Sequence, residues 1–374
     1  MRVAIITESF LPAVNGVTNS VLRVLAHLER TGHDALVLAP GEPPSRVHGA
    51  RVVPLRSVPL PGYSQLRLGV PTARSVVREL AAFRPDVLHL ASPFLTGGPA
   101  VRAAAQLGIP TVAVYQTNVA GFATRYRLSA AAETAWRRVR SVHERAGLTL
   151  APSLVAAADL EQHGVERVHV WPRGVDTTAF SPRHRDPALH RRLAPDGEVL
   201  VGFVGRLAAE KQVEDLRALH DLVGVRVVIV GDGPEREQLR RVLPHAVFLG
   251  QLTGDPLSRA VATLDVAVQT GPYETFCQSA QEAMASAVPV VAVGAGGVAE
   301  LVDSSRTGWL YPPGDLTALR ARVADLAGDT TKRRAMGRAA QRAVQSRTWP
   351  VVCEQLLGHY ATVIDHHRAA AAAG

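Results

Sequence analysis

The sequence alternates, almost from end to end, between short apolar runs rich in β-branched residues and longer amphipathic segments. The runs 3–7, 35–39, 51–55, 87–90, 111–115 and 148–151 are apolar at nearly successive positions, not at every second one. A strand of that kind is buried on both faces, which a parallel sheet covered by helices provides. Between the runs, 17–30, 72–83, 98–107, 129–146 and 153–163 carry apolar residues at helical spacing. In the first of these, Val17, Val21, Val24, Leu25 and Leu28 share one face, and Gly32 stops the helix. Strand followed by helix, repeated, predicts an α/β fold with a doubly wound sheet.

The pattern breaks once. Residues 172–187 hold Pro172, Gly174, Pro182 and Pro187 and read as a linker. The alternation then restarts with strands at 199–204, 226–230, 246–249, 266–269 and 289–293. Helices are expected at 213–222, 235–243, 257–263, 279–285, 316–327, 331–346 and 349–366, with a frayed tail at 369–374. A chain of 374 residues suits two such units, and 47% hydrophobic residues can fill two cores. That excludes a disordered chain and a disulfide scaffold. Open α/β sheets bind ligands at the carboxyl ends of their strands, so two facing units are expected to form a cleft.

Charge adds a constraint on partners. Net charge is +8, and all but two of the 41 basic residues are arginine, the exceptions being Lys211 and Lys332. Residues 1–170 hold 18 Arg against 11 acids; the remainder holds 23 basic residues against 22 acids. A basic first half fits an anionic partner, whether nucleic acid, membrane surface or acidic substrate, and a neutral surface drift fits equally well. With aromatics at 5%, little is available for stacking on bases, so no nucleic acid is expected. Cys277 and Cys353 match no metal-ligand or disulfide spacing, which points to a reducing, cytoplasmic setting. Glu8 cuts the first apolar run short, so it reads as a strand and not a signal peptide. No apolar stretch of about 18 residues occurs, so no spanning helix is expected.

Four stretches of the second half could carry chemistry. Gly205-Arg206 with Lys211 follows a strand and places two cations where a diphosphate, or only solvent, could sit. Gly231-Asp232-Gly233-Pro234 is a glycine turn before a helix. In Glu274-Thr275-Phe276-Cys277-Gln278 through Glu282, two carboxylates stand eight apart across the start of the helix expected at 279–285, whose free N-terminal amides Thr275–Gln278 would present. Free amides there favour anions. The carboxylates are too far apart for an acid/base pair and suit hydroxyls at two ends of one ligand, though an exposed helix face would look similar. Gly294, Gly296 and Gly297 lack the dinucleotide spacing, so no nicotinamide cofactor is implied. In the first half, Asn15-Gly16 opens a helix where glycine would admit a phosphate, or simply cap the helix.

Taken in order, Asn15-Gly16, Pro172-Arg173-Gly174-Val175-Asp176, Gly205-Arg206 with Lys211, Gly231-Asp232-Gly233-Pro234 and the Glu274/Glu282 pair resemble family 4 of the retaining glycosyltransferases. Those enzymes have the GT-B fold of two Rossmann-like domains. Glu8-Ser9-Phe10-Leu11-Pro12 and Tyr115-Gln116-Thr117-Asn118 bring the resemblance toward actinobacterial GDP-mannose-dependent α-mannosyltransferases acting on lipid acceptors. The resemblance implies an acceptor domain at 1–171 joined by the returning helix 349–368, a linker at 172–187 and a nucleotide-sugar domain at 188–348. It implies that Arg206 and Lys211 hold the donor diphosphate, with Gly205 and Gly16 near the phosphates. Glu274 would bind the transferred sugar, with Thr275 and the Phe276 and Cys277 amides beside it, and Glu282 the ribose. Base recognition would fall near Leu249, Gln251 and Leu252.

Two departures bear on mechanism. Many relatives carry a histidine where this chain has Gln116-Thr117-Asn118, so Gln116 and Asn118 are positioning candidates and not bases. The mannosyltransferases often have an acid at the place of Asn118, which leaves the sugar open. No Asp-x-Asp signature occurs, so no metal and no other cofactor is expected. Arg125, Arg127, Arg137, Arg138, Arg140 and Arg145 surround a helix with an apolar stripe of Trp136, Val139 and His143. Such a helix could rest on an anionic membrane at its inner face, or be a solvated face. Two alternatives are a transferase using a UDP-sugar and a soluble acceptor, and a GT-B sugar-nucleotide epimerase. The latter would need acid/base residues where Gln116 and Asn118 stand.

Overall fold

The computed structural model describes residues 1–60, 63–117 and 129–373. The chain forms two compact units, Met1–Arg173 with Pro350–Gly374, and Gly174–Trp349. In chain order the first unit's strands are β1 (Arg2–Thr7), β2 (Asp34–Pro40), β3 (Arg46–Val47), β4 (Ala50–Leu55), β5 (Ser57–Leu60), β6 (Tyr63–Gly69), β7 (Val87–Ala91), β8 (Thr111–Val114), β9 (Leu148–Ala151) and β10 (Val168–Val170). Eight of them make one sheet in the order β10-β9-β8-β7-β1-β2-β4-β3, parallel except for the two-residue edge strand β3. β1 is central, with Ile5 opposite Val37 on one side and His89 on the other. Ile5, Ile6, Leu36, Leu38, Leu88 and Leu90 are wholly buried, as continuous apolar strands require. The hairpin β5–β6 was not expected, because Pro59 and Pro61 make its sequence look like a loop.

The helix Gly16–Arg30 starts where Asn15 caps it, its Oδ1 accepting from the amides of Val17 and Thr18 at 3.0 Å each. The last helix, Trp349–Ala373, runs through residues expected to fray, and from Pro350 onward it belongs to the first unit. Trp171 Nε1 donates to the Val352 carbonyl at 2.8 Å, and Tyr360 shares a 2.5 Å hydrogen bond with the buried His89. Burial pushes the His89 imidazole down to about 3, so it stays neutral.

The second unit holds β11 (Val199–Val204), β12 (Val225–Val230), β13 (Val247–Gly250), β14 (Val266–Gln269), β15 (Val290–Val293) and β16 (Gly308–Tyr311). They form one all-parallel sheet in the order β13-β12-β11-β14-β15-β16. Residues 174–187 are built into this unit instead of linking it. Val175 bridges to Thr348, Phe180 is in the core, and Asp186 caps the helix Pro187–Leu193. Asp265 fastens that segment, accepting from Arg185 and His190 at 2.7 Å each. β16 was not foreseen, and 213–222 winds as a 3-10 helix over Val213–Leu219. The strand order turns back at β11 and β14, the place where open α/β sheets bind ligands.

Candidate functional site

The four stretches singled out in the second unit meet at the carboxyl end of its sheet, held by backbone-to-backbone packing. A Cβ on Gly231 would lie 1.9 Å from the Gly205 carbonyl oxygen, and one on Gly233 would lie 2.3 Å from that of Leu207. A Cβ on Gly297 would meet the Thr275 oxygen at 2.3 Å. Hydrogen bonds lock the same contacts. Leu207 N donates to Asp232 O at 2.9 Å, Glu235 N to Leu207 O at 3.0 Å and Gly297 N to Glu274 O at 2.6 Å. These glycines are therefore required by the loops themselves.

This frame carries two ion pairs. The Lys211 ammonium donates to Glu274 Oε1 at 2.5 Å, tying the loop after β11 to the loop after β14 across the switch point. Burial pulls the Lys211 ammonium down, but the Glu274 carboxylate outweighs it and holds the group above the usual lysine range. Thr270 Oγ1 donates to the Lys211 carbonyl at 2.7 Å and fixes its backbone. Arg206 donates to Glu210, whose side chain is 3% exposed while that of Arg206 is 45% exposed. Sequence reasoning missed Glu210 and Thr270. The signals were an acid four residues after Arg206 and a polar residue directly after an apolar strand.

Other expected residues need correction. The helix begins at Gln278, one residue from the expected 279–285, and Cys277 at φ 76° breaks the helical path just before it. Phe276 and Cys277 are buried in the core, so their side chains are closed to a ligand; burial pushes the Cys277 thiol up to about 12. Glu282 is half-buried in the second turn of that helix. Leu249 and Leu252 pack on the core, which leaves exposed Gln251 as the side chain available beside them.

In the first unit, a Cβ on Gly16 would meet nothing within 4 Å, so neither packing nor local strain demands glycine there. Gln116 is half-buried just beyond β8. Asn118, Arg125 and Arg127 lie outside the described residues. The apolar stripe of the helix Ser129–His143 faces inward, against the expectation that it meets lipid. Val139 and His143 are buried, and Trp136 stacks on His163 with ring centroids 3.7 Å apart. Arg138 donates to the carbonyls of Phe94 and Leu95 at 2.9 and 3.2 Å, Arg140 pairs with Glu144 and Arg137 with Thr134. Among the described residues no helix is long and apolar enough to cross a membrane. None of their His, Cys, Asp and Glu side chains group in threes that could hold a metal ion.

Residues 14–179 match the family model described as Glycosyltransferase Family 4, and residues 198–329 match that of Glycosyl transferases group 1. The chain is 52% identical, over 100% of both chains, to a protein of Mycolicibacterium smegmatis named GDP-mannose-dependent alpha-mannosyltransferase. It is 50% identical, over 97% of both, to a Mycobacterium tuberculosis protein of the same name. A solved structure of sucrose-phosphate synthase from Thermosynechococcus elongatus superposes with a TM-score of 0.83 over 98% of this chain and 99% of that one, at 21% identity. That likeness gives the fold, GT-B. The matched families, the full-length relatives and the fold agree: the chain belongs to glycosyltransferase family 4.

Proposed function

We propose that this glycosyltransferase moves mannose from GDP-mannose to a lipid-linked or glycolipid acceptor, with retention at the anomeric carbon and without a metal. The observation that carries the reading is the pair of cations, Arg206 and Lys211, set with Glu274 at the switch point of the second unit. The relatives' names support the donor. As the bond from the anomeric carbon to the diphosphate breaks, negative charge builds on the leaving group, and the two cations stabilise it. Glu274 binds hydroxyls of the transferred sugar and Glu282 those of the ribose. A covalent route would place a carboxylate against the sugar face, with a second about 5 Å away. In this reading Glu274 serves as a hydroxyl-binding group and not as the nucleophile, and in the free protein its carboxylate pairs with Lys211. The acceptor oxygen therefore attacks on the face the phosphate leaves, and its proton passes to that phosphate. Gln116 and Asn118 position the acceptor. The basic first unit draws an anionic membrane surface by charge, through residues such as Arg137, and not by insertion.

The test supplies membrane lipid extract with radiolabelled GDP-mannose or UDP-glucose. GDP-mannose should label the organic phase, insensitive to chelator, and NMR of the product should give the α anomer. Lys211→Ala should lower the rate about 100-fold or more. Preference for the UDP-sugar, a β product, or near-full activity of Lys211→Ala would overturn the reading.

A further inference from the structure

The cation assigned to the donor diphosphate already has an anion on it. Lys211 and Glu274 are each 20% exposed, and their charged atoms touch. Their backbones are fixed, Lys211 by Thr270 and Glu274 by Gly297, so what can change is the side-chain pairing. Arg206 is arranged differently. Its counter-ion Glu210 is buried, while the guanidinium is open to solvent and has five donors, so it can take a phosphate and keep Glu210. An oxygen of a diphosphate on the Lys211 ammonium would lie beside the Glu274 carboxylate. Two anions would then share one cation in a site partly shielded from water, where repulsion is poorly screened.

We propose that Glu274 is an internal competitor of the diphosphate. It occupies Lys211 in the free protein, leaves when the hydroxyls of a bound sugar offer it another partner, and returns once the sugar has been transferred. The site thereby distinguishes a nucleotide sugar from the bare nucleoside diphosphate, and the returning carboxylate helps expel the product. This inference rests on the donor-site reading above and adds a specificity role to a residue otherwise assigned only to sugar binding.

Calorimetric titration of wild type and Glu274→Gln with GDP and with GDP-mannose tests it. Glutamine keeps the size and the hydrogen bonds to hydroxyls but not the charge. GDP should bind Glu274→Gln about 10-fold tighter than wild type, while GDP-mannose binds no tighter. In the double variant Lys211→Ala/Glu274→Gln the gain for GDP should vanish. A carboxylate that only binds sugar leaves the GDP affinity unchanged, and that result in a variant with wild-type circular dichroism overturns the proposal. If Glu274→Gln does not fold, Glu274→Ala, which also removes the charge from Lys211, is read in the same way. UDP is titrated in parallel. Wild type that binds UDP and not GDP refutes the donor reading, and the response of UDP to Glu274→Gln then decides the competitor role. No binding of either nucleotide to either protein overturns both.

Discussion

Lys211 sits among 39 arginines as one of only two lysines, and it is the one held at a loop junction by a carboxylate from another loop. Its rarity and its distance from Arg206 made it legible in the sequence, as the eight-residue spacing did for Glu274 and Glu282. Glu210 was not legible, since an acid four residues from an arginine is what an exposed helix face also looks like. Burial gives it its role. Removing Arg206 leaves the Glu210 carboxylate unpaired inside the protein. Arg206→Ala should therefore lower unfolding stability by about 1–2 kcal/mol, less than for a fully buried pair because Arg206 is half in solvent. Chemical denaturation of Arg206→Ala and of Arg206→Ala/Glu210→Gln checks this. The second substitution should recover most of the stability and none of the transfer activity. Equal loss in both proteins would show that Glu210 does not need its partner.

The glycine loops contrast two uses of one residue. Gly231 adopts φ 144°, and a Cβ there would strike the Gly205 carbonyl, so the fold itself demands glycine. Gly16 faces open space, so the fold itself does not demand glycine there. Gly231→Ala should cost roughly 3 kcal/mol or more and lower the Tm by roughly 6 °C or more. Gly16→Ala should leave the Tm within about 1 °C. Thermal unfolding of both variants measures the contrast, and a Gly231→Ala protein as stable as wild type would contradict the loop packing. Strands and helices were readable because burial on both faces leaves continuous apolar runs. The β5–β6 hairpin and β16 were not, being short, partly polar and interrupted by proline or glycine. The helix Ser129–His143 was read correctly as amphipathic, but periodicity cannot say what the stripe meets. Its partners, Tyr115 and His163, come from other elements.

At the scale of the molecule, two sheets with the same logic follow one another, and the chain end goes back to the first. That return is fixed by Trp171 and His89, residues distant in sequence from Val352 and Tyr360, so no local pattern reports it. The resemblance to a family brought it into view. The segment 174–187, rich in proline and glycine, looked like a connector but joins the second core through Val175 and Phe180. Composition marks flexibility of sequence, whereas contacts decide membership of a unit. Transfer by this chain requires that the second unit hold a nucleotide sugar through Lys211. Thermal unfolding in the presence of GDP-mannose measures that directly, because a ligand of the folded state raises its stability by about 2.7 kcal/mol at 100 times its Kd. Wild type and Lys332→Ala should both be protected, relative to the same protein without ligand, and Lys211→Ala should not. Equal protection of Lys211→Ala, or protection of none of the three, would contradict it.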